Sequence, residues 1–205
     1  MGQTPNTLLH NLVPTQSNLN ALIDPASPGK HMAKRYGLSK SYEQLFEGIL
    51  RDAEVLYLAI DEAKRPIYAK EKIKNFDFIV SSFNGKFLID IKGKKFDYGY
   101  GESWENWIKD DDISGLKVWA SHFNAFTPLL VFVYHLRGHA AADKFQDIYR
   151  FKNRRYGIVA IDLSTYYTNA KTRSKKWGAI YVSREKFQHL AKPISFYLPE
   201  LKKSW

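Results

Sequence analysis

Asp77, Asp90 and Lys92 are the residues whose types and spacing most directly suggest chemistry. Asp77 lies in an apolar run, Phe76–Phe83, and Asp90 and Lys92 lie in a second, Lys86–Lys92; both read as strands rich in Phe, Ile and Val. Between them, Asn84-Gly85 is the preferred dipeptide of a type I′ hairpin turn. With those two as the loop, Asp77 is expected opposite Lys92 and Ile79 opposite Asp90. Side chains alternate faces along a strand, so Asp77, Asp90 and Lys92 are expected on one face. Directly paired Cβ atoms lie about 5 Å apart, and diagonal ones about 7–8 Å. Two carboxylates so placed could share one hard cation, with an ammonium beside both. Oxygen ligands suit Mg²⁺ or Mn²⁺. Such an ion polarises a phosphoryl oxygen and lowers the pKa of a bound water. Lys92 could orient that water or stabilise charge developing at the phosphorus. The competing reading is an Asp–Lys pair on a solvated sheet face. Phe76, Phe78, Phe87, Ile89 and Ile91 are expected to bury the other face, while Ile79 and Leu88 make the charged face partly apolar. A charged cluster in such surroundings is more often a site than decoration.

The elements that must position this hairpin follow from periodicity. Ser41 with Gln44 forms a capping box. Leu45, Phe46, Ile49, Leu50, Ala53, Leu56 and Tyr57 then recur at helical spacing, predicting a helix to about Ile60. Glu43 and Glu47 stand one turn apart beside that stripe. A weak strand is expected at Ile67–Lys70 and a loop from Gly93 to Asp112. Asp110–Asp112 are expected to cap a second helix, Ile113 to Asn124. Pro128–Leu136 is almost uninterruptedly apolar, as a buried central strand is. Gly157–Leu163 and Gly178–Ser183 read as further strands, and Ser183–Ala191 as a short helix. Residues 1–37, rich in Asn, Ser, Thr and Pro, read as a flexible arm, and 38–205 as a single domain.

Composition narrows the partners. The chain of 205 residues carries a net charge of +10, which favours a polyanion, either nucleic acid or an anionic membrane surface. It contains no cysteine, which excludes disulfides, thiolate zinc sites and cysteine nucleophiles, and makes a reducing cytoplasm the expected setting. No apolar run approaches the roughly 20 residues of a membrane span. Beyond Lys92, Lys94 and Lys95 extend the positive charge. Arg150, Lys152, Arg154 and Arg155 form one later basic cluster, and Lys171, Arg173, Lys175 and Lys176 another. Phe151, Tyr156, Tyr166, Tyr167 and Trp177 interleave with them, suiting phosphate contact and, for exposed rings, base stacking. Solvated loops with aromatics anchored in the core are the alternative.

A helix with a Glu, a strand with Asp77, and Asp90-Ile91-Lys92 on the next strand together resemble the PD-(D/E)xK nuclease superfamily. That superfamily includes many restriction endonucleases and archaeal-type Holliday junction resolvases. The resemblance covers Ser41–Leu136, roughly half the chain, and Asn75-Phe76 precedes Asp77 where the motif has Pro. The stretch Tyr42-Glu43…Asp77…Asp90-Ile91-Lys92-Gly93 is also similar to uncharacterised bacterial proteins of the superfamily. The resemblance implies an α/β fold with a restriction endonuclease-like α-β-β-β-α-β core. Its central mixed sheet would be flanked by helices, with the remaining strands added C-terminally. It implies a Mg²⁺- or Mn²⁺-dependent deoxyribonuclease with Asp77, Asp90 and a first-helix carboxylate as metal ligands and Lys92 as a catalytic partner. For that helix carboxylate Glu43 is favoured, because it follows Tyr42 near the helix start. Glu47 competes, and either could simply complement the helix dipole. Lys94, Lys95, Arg154, Arg155, Lys171, Arg173, Lys175 and Lys176 are the candidate DNA contacts, with RNA left open. Many members dimerise, but no residue here locates an interface. Two other readings compete: a non-catalytic nucleic-acid-binding protein on the same fold, and a peripheral membrane or protein-interaction domain.

Overall fold

Helix α1 (Leu38–Asp52) forms where Leu45, Phe46, Ile49 and Leu50 recur at helical spacing, and all four are buried. It ends earlier than the periodicity of Ala53, Leu56 and Tyr57 predicts. Glu54 adopts a left-handed φ of 54°. Its N–H donates to Arg51 O at 3.1 Å, and the Val55 N–H donates to Leu50 O at 2.9 Å. This pair of bonds is a Schellman closure, made without glycine. The apolar residues beyond it form strand β1 (Leu56–Ala59) instead of more helix.

Short strands β2 (Ile67–Tyr68) and β3 (Glu71–Lys72) precede β4 (Phe78–Ser82) and the long β5 (Gly85–Asp97). Strand β6 (Ile108–Lys109) runs directly into α2 (Asp110–His122), which is followed by β7 (Thr127–Arg137). Then come a 3₁₀ turn (Ala142–Lys144), β8 (Ile148–Phe151), β9 (Arg154–Asp162), α3 (Leu163–Asn169), β10 (Lys171–Ser174) and β11 (Ala179–Tyr181). Helix α4 (Arg184–Leu190), β12 (Lys192–Pro193), α5 (Ile194–Tyr197) and a last 3₁₀ turn (Pro199–Lys203) complete the order. The computed structural model describes residues 38–61, 64, 66–68, 71–97, 104–137 and 142–203. The expected N-terminal arm, 1–37, lies outside them. Among the described residues no helix is long and apolar enough to cross a membrane.

The fold is mixed α/β. The central sheet has the order β1-β4-β5-β7-β9-β12, with β8 also against β9; β5 and β7 are parallel and the other pairs antiparallel. The succession α1, β1, β4, β5, α2, β7 is the helix–strand–strand–strand–helix–strand order expected, and further strands follow it. Helices cover both faces. Ile89, Val131, Val133, Ile158 and Ala160 pack with the buried stripe of α1, whereas Leu88, Leu130, Phe132, Tyr134 and Ile161 pack with Ile113 and Leu116 of α2. Burial on both faces is why β7 reads as an almost continuous apolar run. Phe76 departs from expectation: it lies on the α2 face, edge-on to Trp119, because the chain has left the pleat of β4 there. A separate three-stranded antiparallel sheet, β10-β11-β6, occupies part of the expected Gly93–Asp112 loop and the later basic stretch.

The hairpin register differs from the one the Asn84-Gly85 dipeptide predicts. Ser82 pairs with Gly85 and Ile79 with Leu88, so the loop is Phe83-Asn84 and the register is displaced by two residues. The cause is distant in sequence. The Glu200 carboxylate accepts from Ser82 Oγ at 2.6 Å and from the Phe83 N–H at 2.7 Å, and Asn84 Nδ2 donates to Phe196 O at 2.9 Å. Gly85 absorbs the reversal with a φ of 144°. A displacement of two keeps the paired side chains of β4 and β5 on their expected faces.

Helix α1 docks on β5 at Gly93. The Tyr42 ring lies over that residue, where a Cβ would be 2.1 Å from Tyr42 Cδ2, and Tyr42 Oη donates to Lys94 O at 3.3 Å. Gly93→Ala is therefore expected to lower stability by about 1–3 kcal/mol and to displace the first turn of α1. Urea denaturation measures the first effect, and an unchanged midpoint would show that the ring does not need that space.

Candidate active site

Strand β4 stops at Phe78, one residue short of Asp77, and leaves part of β5 without a partner on that edge. Asp77 fills the gap. Its N–H donates to Ile89 O at 2.8 Å, and its carboxylate accepts the Ile91 N–H. Asp77 therefore brackets Asp90 and is not seated opposite Lys92 as the Asn-Gly register predicts. Asp77 and Asp90 are both buried, at 5% and 3% exposure. Asp90 and Lys92 share a face of β5, and Lys92 Nζ lies 2.6 Å from Asp90 Oδ2. Asp90 Oδ2 is itself buried, with the Lys92 ammonium against it.

The structure adds two residues that the periodicity assigned to other duties. Asp112, expected only to cap α2, is buried, and its Oδ2 lies 3.1 Å from Lys92 Nζ. The same oxygen accepts the Lys109 N–H at 3.1 Å, so Asp112 closes the helix start and holds Lys92 at once. Its other oxygen pairs with Lys74 Nζ. Helix α2 can come this close because of Gly115, where a Cβ would be 2.6 Å from Lys74 O. Trp119 Nε1 donates to the same carbonyl at 3.1 Å. A glycine inside a helix costs about 0.5–1 kcal/mol against alanine, and Gly115 is the sequence signal that a backbone packs there.

The two helix carboxylates separate. Glu47 accepts from Tyr57 Oη at 3.1 Å and lies 3.8 Å from Arg51. Glu43, brought in by the docking of Tyr42, acts electrostatically on Asp77. Burial, then the Asp90 charge, push the Asp77 carboxyl well above its ordinary value, and Glu43 adds to the rise. Burial likewise raises Asp90, opposed chiefly by Lys92. For Lys92, burial alone would lower the ammonium; Asp90 and Asp112 outweigh it, so Lys92 is held protonated. Burial would also raise Asp112, but Lys92 and Lys74 bring it below the usual carboxylate range.

Four carboxylates (Glu43, Asp77, Asp90 and Asp112) act on one another beside two ammonium groups, Lys74 and Lys92, which leaves two excess negative charges when all are ionised. Among the described residues no three acidic or histidine side chains already converge as a cage for a metal. The donor chemistry nonetheless fits a hard divalent cation: buried carboxylate oxygens and an excess negative charge of matching size.

The basic residues divide. Lys94 is half-buried on the face of Lys92; its Nζ donates to Trp107 O at 3.0 Å and lies 3.9 Å from the Trp107 ring centroid. Burial, reinforced by Lys92 and Arg173, pushes Lys94 down to about 8. Arg173 on β10 stands 5.4 Å from the same ring centroid, with Lys171, Lys175 and Lys176 exposed along that hairpin. Lys95 is exposed on the opposite face of β5. Arg154 and Arg155 belong to the β8–β9 hairpin, where Arg154 acts electrostatically on Tyr42.

No protein-family model matches the chain, and no curated protein matches it. Among solved structures the chain is similar to the 1.6 Å structure of Hjc, a Holliday junction resolvase from the archaeal hyperthermophile Archaeoglobus fulgidus. The identity is 9%, over 77% of this chain and 97% of that one, with a TM-score of 0.46.

The raised carboxyls have a consequence for stability. Asp77 holds its proton more tightly folded than unfolded, so its contribution is full below the ordinary carboxyl value of 3.8 and is lost as pH rises through the folded value. In chelator, the melting temperature of the wild type is expected to fall relative to Asp77→Asn as pH rises above the ordinary carboxyl value of 3.8. Parallel profiles for the two proteins would rule out a buried, destabilised Asp77.

Proposed function

We propose that this protein is a divalent-metal-dependent nuclease that hydrolyses phosphodiester bonds of DNA. Asp77, Asp90 and Glu43 would hold Mg²⁺ or Mn²⁺. The observation that carries the reading is the bracketing of Asp90 by Asp77: two buried carboxylates beside a protonated Lys92, with Glu43 acting on the same charge. Apolar burial of two like charges is costly without a cation.

A bound cation would supply Lewis acidity at a phosphoryl oxygen. The chain's own residues define the remaining roles. Lys92, kept as an ammonium, supplies a hydrogen-bond donor and positive charge where negative charge develops at the phosphorus. It is not a free amine at neutral pH and does not serve as the general base. Asp112 is a positioning residue: anchored in the first turn of α2, it holds the Lys92 ammonium in place. Glu47, engaged by Tyr57 and Arg51, has no part in this set. Lys94 and the β10–β11 hairpin give a basic margin for the backbone of the polyanion. The absence of cysteine suits a reducing cytoplasm.

Cleavage of plasmid and branched DNA with Mg²⁺ or Mn²⁺ tests this. Asp90→Ala and Lys92→Ala are expected to lower the rate by about 10²–10³-fold. Glu43→Gln should approach that loss, whereas Glu47→Gln should stay within about two-fold. Undiminished cleavage in Asp90→Ala and Lys92→Ala would sink the assignment.

One observation favours a second reading. Lys92 already sits against Asp90, and the described carboxylates form no ready cage, as in a nuclease fold reduced to nucleic-acid binding. Calorimetry separates the two. The nuclease reading expects Mn²⁺ to bind with proton release, because ligands held protonated must ionise. Intact DNA affinity without any divalent binding would favour the second.

A further inference from the structure

Trp177 is 71% exposed, yet its backbone is closely tied down. Its N–H donates to Ser174 Oγ at 3.4 Å, and the next residue, Gly178, accepts from the Asp110 N–H at 2.8 Å. The β10–β11 turn is thereby fastened to the start of α2, the helix that carries Asp112. That exposed indole offers an open ring face on which a flat aromatic group could stack. Beside it runs a groove of about 330 Å³ lined by Trp107, Lys109, Trp177 and Ala179. Lys109 lines the groove, Arg173 stands 5.4 Å from the Trp107 ring centroid, and Lys171, Lys175 and Lys176 are exposed on the same hairpin as Trp177. Two anions are near. Glu105 lies 4.0 Å from Arg173, and Asp110 lies against Gly178. The positive charge exceeds them, which favours a polyanion over an apolar protein surface.

We propose that this groove receives an unpaired nucleobase, stacked on Trp177, and that the protein therefore prefers nucleic acid with a single-stranded stretch over continuous duplex. The inference rests on the nucleic-acid reading above. In a duplex the base faces are already stacked and only edges and phosphates are open, so an exposed indole gains little there; an unstacked base offers its whole face. The groove also lies in the right place. Trp107 is held by Lys94, which is two residues along β5 from Lys92, about 7 Å at the rise of a strand. Lys109, which lines the groove, also gives its N–H to Asp112, the carboxylate that holds Lys92, so a base in the groove would bring its strand toward the carboxylate–ammonium set.

The test uses the full chain in EDTA, so that no cleavage intervenes, with fluorescein-labelled oligonucleotides as a single strand and as the matched duplex. Trp177→Ala is expected to weaken single-strand binding about ten-fold, the loss carried by one base–aromatic stack. Duplex binding should change by less than about two-fold. Trp177→Phe should recover most of the single-strand affinity. A 2-aminopurine in the single strand should change fluorescence on binding the wild type and not Trp177→Ala. Equal losses on both forms, or no loss on either, would overturn the stacking site. So would an unchanged affinity accompanied by a shift in sedimentation, which would make the groove a self-association surface. Wild-type protein that binds neither form would overturn the nucleic-acid reading as well. No stacking signal from the wild type, with metal-dependent cleavage intact, would overturn this inference alone.

Discussion

Strand β5 pairs with β7 from Phe87 to Asp97 and with β4 only as far as Ile89, and helices cover both its faces, yet it carries the buried Asp90 and, beside it, Lys92. Charges in such surroundings cost several kcal/mol each unless partners reach them. The neighbouring elements supply those partners. Helix α2 begins where Asp112 can reach Lys92, and Gly115 lets the helix sit against the backbone of Lys74, whose ammonium pairs with Asp112. Strand β4 stops early, so that the Asp77 carboxylate, and not another carbonyl, meets the Ile91 N–H. Each of these is a departure from regular structure, and each is directed at the same few atoms of β5.

The opposite face contributes by docking. Tyr42 lies on Gly93 and bonds to Lys94 O, which fixes the first turn of α1 against β5. Glu43 follows in the chain and is delivered to the edge where Asp77 stands; Glu47, one turn on, falls to Tyr57 and Arg51. Two glutamates that look equivalent along the helix are thus separated by a ring and a glycine.

What could be read from the residues was what depends on local periodicity. The stripe of α1, the paired strands β4 and β5, the doubly buried β7 and the gathering of Asp90 with Lys92 all follow from spacing. What escaped depends on contacts distant in sequence. Helix α1 stops at Glu54, a residue with no special tendency toward positive φ, because Val55 and the strand beyond are claimed by the core. Asp112 stood in a run of three acids that helix dipoles explain adequately, and only the packing of α2 singles it out. Lys74 gave no pattern at all. Solvated loops stayed an alternative for the basic stretches because their hairpins are short and polar, and their strands exist by pairing with β9 and with β11.

The grip of Glu200 on the hairpin tip has an electrostatic consequence. The register that Asn84-Gly85 prefers and the register adopted bury the same side chains, so the hydrophobic effect is nearly indifferent between them. They differ in which charges become neighbours. The preferred one would seat Asp77 against Lys92, a neutral pair; the adopted one brings Asp77 alongside Asp90, a pair of like sign. Four hydrogen bonds to a segment more than a hundred residues away thus hold the hairpin in its more frustrated arrangement. The C-terminal turn acts as a clamp that keeps negative charge concentrated at one point of the sheet.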